Sequence, residues 1–170
     1  TRDIRGKGEE VIERAKRRFK TLASRDAYPR AVDVETKRFI NFWFDEYARR
    51  QLASLSFSIK GVRDRVTRNV LWCAFSRLII TKQSGASLAM DLSHSRPHKA
   101  FTRAPTKPFR KFMISVDRVI KNCISSRSCK SGPVAHAMIG DARSLQLPDE
   151  SVDLVLTSPP YLNAIDYMRC

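Results

Sequence analysis

Apolar residues recur every three or four positions in four separate blocks of the first 125 residues, and this constrains the chain more than any other feature. Over residues 4–23 they fall at Val11, Ile12, Ala15, Phe19 and Leu22, with basic residues on the other side. That is the spacing of a helix burying one face. The stretch "SRDAYPRAVD" at 24–33 interrupts the pattern with Pro29 and a polar cluster. From Glu35 the period resumes through Phe39, Ile40, Trp43, Phe44, Tyr47, Leu52, Leu55 and Ile59, a stripe broad enough for a buried helix, with Gly61 as its expected stop. A third helix is predicted over 62–81, with Val66, Val70, Leu71, Ala74, Phe75, Leu78 and Ile79 on one side. Its other side carries Arg63, Arg65, Arg68 and Arg77. A fourth, over 110–125, turns Phe112, Met113, Val116, Val119 and Ile120 inward.

The period fails twice. Residues 82–109 hold three prolines and dispersed basic residues, and a stretch of that length without an element reads as a functional loop, not a spacer. After the linker "SSRSCKSGP" the texture becomes strand-like: "VAHAMIGDA" at 134–142 and "SVDLVLTS" at 151–158 are short apolar runs bounded by turn residues. The expected architecture is therefore α-rich α/β, a basic helical domain over 1–130 followed by two strands within 134–170. There is no internal repeat and no low-complexity tract.

Charge divides the chain at nearly the same place. The net charge of +15 is made of −3 on residues 134–170 and +18 on residues 1–133. A basic body joined to a mildly acidic tail suits nucleic-acid contact beside a small-molecule site, against the plainer alternative of a well-solvated basic surface. No apolar run reaches the roughly 18 residues a membrane span needs, and the N-terminal stretch lacks the apolar centre of a signal peptide, so the expected location is cytoplasmic. Cys73, Cys123, Cys129 and Cys170 form no C-x-x-C pair, and Cys73 falls within an apolar helical pattern as a core residue. His94 and His98 flank a proline without a cysteine pair nearby, so no metal site is expected.

The apolar run at 151–157 ends in Ser158-Pro159-Pro160-Tyr161. Two prolines remove two amide donors and hold φ near −65°, so the chain leaves any ladder rigidly at that point. This tetrapeptide, with Gly140-Asp141 and "LPDESVDL" ahead of it, resembles the signature of the amino-directed DNA methyltransferases: Asp, Asn or Ser, then Pro-Pro and an aromatic residue, at the end of a strand. The resemblance covers about 30 residues. It implies an S-adenosylmethionine-dependent enzyme with a Rossmann-like sheet, to which the two predicted strands would belong. An exocyclic amino group is a poor nucleophile because its lone pair is delocalised into the ring. Acceptors for both amino hydrogens, here the Ser158 hydroxyl and the Pro159 carbonyl, restore that lone pair, and Pro160 keeps them aimed. Tyr161 would stack on a base flipped from the duplex.

The same resemblance places Asp141 near the donor's adenine or ribose end and Asn163, Asp166 and Tyr167 along the pocket. It also points to the basic body for DNA contact, through Arg63, Arg65 and Arg68 on one helix face and Arg96, His98, Lys99, Arg103 and Lys107 in the long loop. Serine at the first signature position tilts the target toward cytosine N4 over adenine N6. The sequence departs from the family in one respect: a glycine-rich donor-binding loop after a strand is missing, and "RGKG" at 5–8 opens a helix instead. A full sheet of this family has about seven strands against the two found, so the expectation is an incomplete catalytic domain whose donor-binding part lies elsewhere in the parent protein or on a second chain. An RNA base methyltransferase, or a helical nucleic-acid-binding module without catalysis, fits the residues as alternatives.

Overall fold

The computed structural model describes residues 3–29, 31–79, 85–89, 99–125, 136 and 138–157. They divide between two compact units, Thr1–Ser128 and Cys129–Cys170.

The first unit holds five α-helices among its described residues: α1 (Ile4–Thr21), α2 (Val34–Trp43), α3 (Glu46–Lys60), α4 (Arg65–Ile79) and α5 (Pro108–Ser125). A side-chain carboxylate opens each of the first four. Asp3 accepts the Gly6 amide at 2.7 Å, Asp33 the Thr36 amide at 2.6 Å, Asp45 the Ala48 amide at 2.7 Å and Asp64 the Thr67 amide at 2.8 Å. These bonds satisfy donors that a helix start otherwise leaves without partners. Pro108 opens α5, where its missing N–H costs nothing. The "RGKG" glycines lie within α1, and Gly8 is buried where an added Cβ would come 3.3 Å from Met113 Sδ, so glycine lets α1 approach α5 closely.

The core sits where α1 packs on α3 and α5, and α4 packs on α5 and α3. Val11 and Ala15 of α1, Leu55 and Ile59 of α3, Leu71, Ala74 and Leu78 of α4, and Phe112 and Val116 of α5 are all sealed from solvent. Met113, Val119 and Ile120 pack against them from the flank, in the orientation the period of 110–125 predicts.

The stripe expected as one helix from Glu35 to Ile59 is broken. Phe44 is extended, with φ −130° and ψ 130°, and Asp45 restarts the helix by capping it. On either side of the break, Phe39 of α2 is 49% and Tyr47 of α3 51% exposed, although both lie on the apolar stripe. Val66 is likewise exposed, and Cys73, expected in the core, lies on the outer side of α4.

The long loop is not wholly a surface segment. Gly85–Ala89 is buried and its amides pair inward: Ala86 donates to the Leu78 carbonyl at 2.7 Å, Ser87 to Ile79 at 3.3 Å and Leu88 to Trp43 at 2.7 Å. It thus supplies donors to the C-terminal carbonyls of α4 and α2. Small residues, Gly85, Ala86, Ser87 and Ala89, let the backbone thread between helices with its polar groups paired.

The second unit overturns the α/β expectation. Among its described residues there is no strand, only a single bridge between Asp141 and Ser144, so the two strands assigned to a Rossmann-like sheet are not formed. The two runs are joined by eight residues containing Pro148, too short a link for the crossover that parallel strands need. Their apolar side chains lie open: Leu154 is 75% and Leu156 90% exposed. Alternation and β-branching make a strand possible, but pairing needs a partner backbone and a covered face. Among the described residues, no helix is long and apolar enough to cross a membrane.

Two outcomes follow. Leu55→Ala should lower the unfolding free energy by about 2–5 kcal/mol in urea titrations, because the cavity lies at the meeting point of the packed helices. The cap on α2 is pH-sensitive. Hydrogen bonds from the Thr36 amide and hydroxyl hold the Asp33 carboxyl below its ordinary range. A depressed folded-state value means the stabilisation is complete above the unfolded carboxylate pKa of about 4 and is lost as pH falls through the folded one. The melting temperature of Asp33→Ala should therefore lie below that of the parent at pH 6, with the gap narrowing as pH falls below about 4.

Candidate nucleic-acid interface

Part of the basic character of the helical unit serves the fold. Arg50 donates from Nε to the Leu22 carbonyl at 3.0 Å and from Nη2 to Phe19 at 2.9 Å, closing the C-terminal end of α1, with its guanidinium 4.5 Å from the Phe19 ring centroid. Arg49 donates to the Ser24 carbonyl at 2.7 Å and lies 4.4 Å over Tyr28. Arg14 reaches the Ser58 carbonyl at 3.3 Å. Charge-assisted bonds to the carbonyls at helix ends suit cations at those positions.

The arginines expected on one helix face separate on the same ground. Arg63 and Arg65 are exposed at the start of α4, but Arg68 is half-buried and donates to the Val62 carbonyl at 3.0 Å, so it braces the α3–α4 turn. Arg63 lines a cleft of about 540 Å³ with Lys7 and Arg14, yet Asp3, Glu10 and Asp64 line it too. Opposed signs there weaken its appeal to phosphate.

The return of the long loop is different. Lys99, Arg103 and Lys107 are all exposed. The Lys99 ammonium lies 4.8 Å from the Phe42 ring centroid, and Arg103 and Lys107 border a cleft of about 410 Å³ whose other wall includes Asp45 and Tyr47. The Asp45 carboxylate builds this corner: one oxygen caps α3 and the other accepts the Ala104 amide at 2.6 Å. Glu46, at the same cleft, bonds the Ser24 hydroxyl and reaches Arg50 at 4.0 Å. Arg96 and His98 lie outside the described residues.

Asp141, expected at a donor site, is turned to local use. Its carboxylate accepts the Arg143 amide at 2.9 Å and the guanidinium at 2.6 and 3.0 Å, within a four-residue turn closed by the Ser144 amide donating to the Asp141 carbonyl at 3.0 Å. Those bonds, led by the side-chain one, hold its carboxyl below the ordinary range. Gly140 beside it borders open space. Ser158, Pro159, Pro160, Tyr161, Asn163, Asp166 and Tyr167 lie outside the described residues.

An apolar cavity of about 200 Å³ lies between the Ala27–Pro29 stretch and helices α2, α3 and α4, with Tyr28, Phe44, Phe57 and Phe75 in its walls. Its polar lining is Arg49, Ser56 and Lys60, and Arg49 already serves Ser24, so no set of reactive groups converges there.

Sequence period misplaced Tyr47 and passed over Phe42, the two aromatic residues at the Asp45 corner. The signal that finds them is Asp45 itself, an N-cap residue within the apolar stripe.

No family model, no curated protein and no solved structure matches this chain.

The division of the arginines sets an expectation for duplex DNA binding. Each lost phosphate contact reduces the slope of log affinity against log salt by about 0.9. Replacing Lys99, Arg103 and Lys107 with glutamine should flatten it by about 2 to 3, whereas Arg68→Gln should leave the slope unchanged and lower the melting temperature instead.

Proposed function

We propose that this protein belongs to an amino-directed nucleic-acid methyltransferase, with the basic helical unit holding DNA and Ser158-Pro159-Pro160-Tyr161 presenting the base. The single observation that carries the reading is that tetrapeptide, closing an apolar run on the acidic side of a chain whose remaining residues carry +18. The Ser158 hydroxyl and Pro159 carbonyl accept the amino hydrogens of the target base, Pro160 restricts their motion, and Tyr161 stacks on the ring. Cytosine N4 is the favoured target, ahead of adenine N6.

The methyl donor of this chemistry is S-adenosylmethionine, and the described residues do not fit it. Asp141 is exposed with its carboxylate engaged by Arg143, and the three cavities described above have no glycine-rich lining. A donor-binding part outside the described residues, elsewhere in the parent protein or on a second chain, is part of the proposal.

A second reading has an observation of its own. The local pairing of Asp141 with Arg143 suits a turn with no ligand, as a helical nucleic-acid-binding module without catalysis would have. Methyl transfer from labelled donor separates the two, with digested DNA analysed by mass spectrometry for N4-methylcytosine and N6-methyladenine. In the intact protein, Ser158→Ala and Tyr161→Ala should each reduce transfer at least about 100-fold, as the loss of an oriented transition-state contact does, while DNA binding survives. Absence of transfer from the parent protein would leave the binding module standing.

A further inference from the structure

At the α2–α3 corner, aromatic and basic side chains alternate on the surface. Phe42 near the end of α2 is 41% exposed and Tyr47 at the start of α3 is 51% exposed. Neither ring is loose. Buried Trp43 meets Phe42 edge to face at 4.7 Å between centroids, and Phe19 meets Tyr47 the same way at 5.3 Å. Apolar rings fixed this far out of the core lose contact with it, and among the described residues Lys99 accompanies the first while Arg103 and Lys107 accompany the second. The nearby carboxylates are already engaged: Asp45 by the Ala48 and Ala104 amides, Glu46 by Ser24 and Arg50.

We infer that this corner binds unpaired nucleic acid, with Phe42 and Tyr47 as stacking platforms for two exposed bases and Lys99, Arg103 and Lys107 as phosphate contacts. The inference rests on the nucleic-acid reading above and specifies its form: a single strand or a locally opened duplex. Fixed rings interleaved with cations are what such strands need, since every base has a π-face and every nucleotide an anionic link. A paired duplex keeps its bases stacked inside and offers the rings nothing. Arrival of a base on Phe42 displaces the Lys99 ammonium from the ring, and the adjoining phosphate receives it. The Ala104 bond to Asp45 holds the basic loop return beside the aromatic α2–α3 corner, so the site is organised before the ligand arrives.

The test uses fluorescence anisotropy with labelled oligonucleotides of about 12 nucleotides, within the usual site size for such strands, as single-stranded DNA, single-stranded RNA and duplex DNA. Phe42→Leu and Tyr47→Leu keep apolar bulk against Trp43 and Phe19 but remove the π-face. Each should weaken single-strand binding by about fivefold or more, leaving duplex binding and its salt slope unchanged, and Phe42→Trp should retain parental affinity. The tighter of the two single-stranded arms identifies the natural strand, and the inference holds for either. Equal losses on single strand and duplex, or no loss on either while the parent protein binds both, overturn the inference and leave the nucleic-acid reading intact. Failure of the parent protein to bind any of the three probes overturns both.

Discussion

The Asp45 carboxylate holds together the part of this molecule that faces outward. With one oxygen it starts α3, and with the other it catches the Ala104 amide from 59 residues further along the chain. An N-cap of this kind is worth about 1 kcal/mol. The second bond matters for geometry: it brings the end of the long loop back to the α2–α3 corner immediately before Pro108 opens α5. Gln51 repeats the device one step later, its side-chain oxygen accepting the Phe109 amide at 3.1 Å. Two polar side chains of α3 therefore set where α5 begins, and the burial of Phe112 and Val116 completes the packing.

The buried segment Gly85–Ala89 does corresponding work at the other end of the same loop. Its amides reach Leu78 and Ile79 of α4 and Trp43 of α2, and the Leu88 carbonyl accepts from Ala100 and Phe101. Within the stretch that the sequence suggests is one functional loop, the described residues 85–89 form an internal brace and Lys99, Arg103 and Lys107 lie on an exposed basic return. This division separates support from contact: the brace positions α2 with its aromatic residues, and the return carries Lys99, Arg103 and Lys107.

Arginine has two uses in this chain that composition cannot tell apart. Arg14, Arg49, Arg50 and Arg68 are turned onto backbone carbonyls, three of them on or beside helix ends, where a cation meets the partial negative charge of unpaired C=O groups. A high net charge is a statement about the field around the protein, while contact with a phosphate needs a side chain whose donors are still available. The same distinction applies to carboxylates, since Asp33, Asp45 and Asp141 are all engaged with backbone amides.

The sequence by itself determined the helices whose apolar period and packing agree. α1, α4 and α5 were legible, with Leu71, Leu78, Phe112 and Val116 facing inward, because a 3.6-residue period is a local property and its physical cause, one buried face, is local too. Tertiary structure alone decided what depends on distant partners. The stripe of residues 39–59 was cut at Phe44 because Asp45 finds both Ala48 and Ala104, and Tyr47 lies exposed beside the cut. Gly85–Ala89 became core because carbonyls on α2 and α4 needed donors. Among the described residues of 138–157 no strand forms from the short apolar runs, because a strand is defined by a partner backbone that no single run of residues contains.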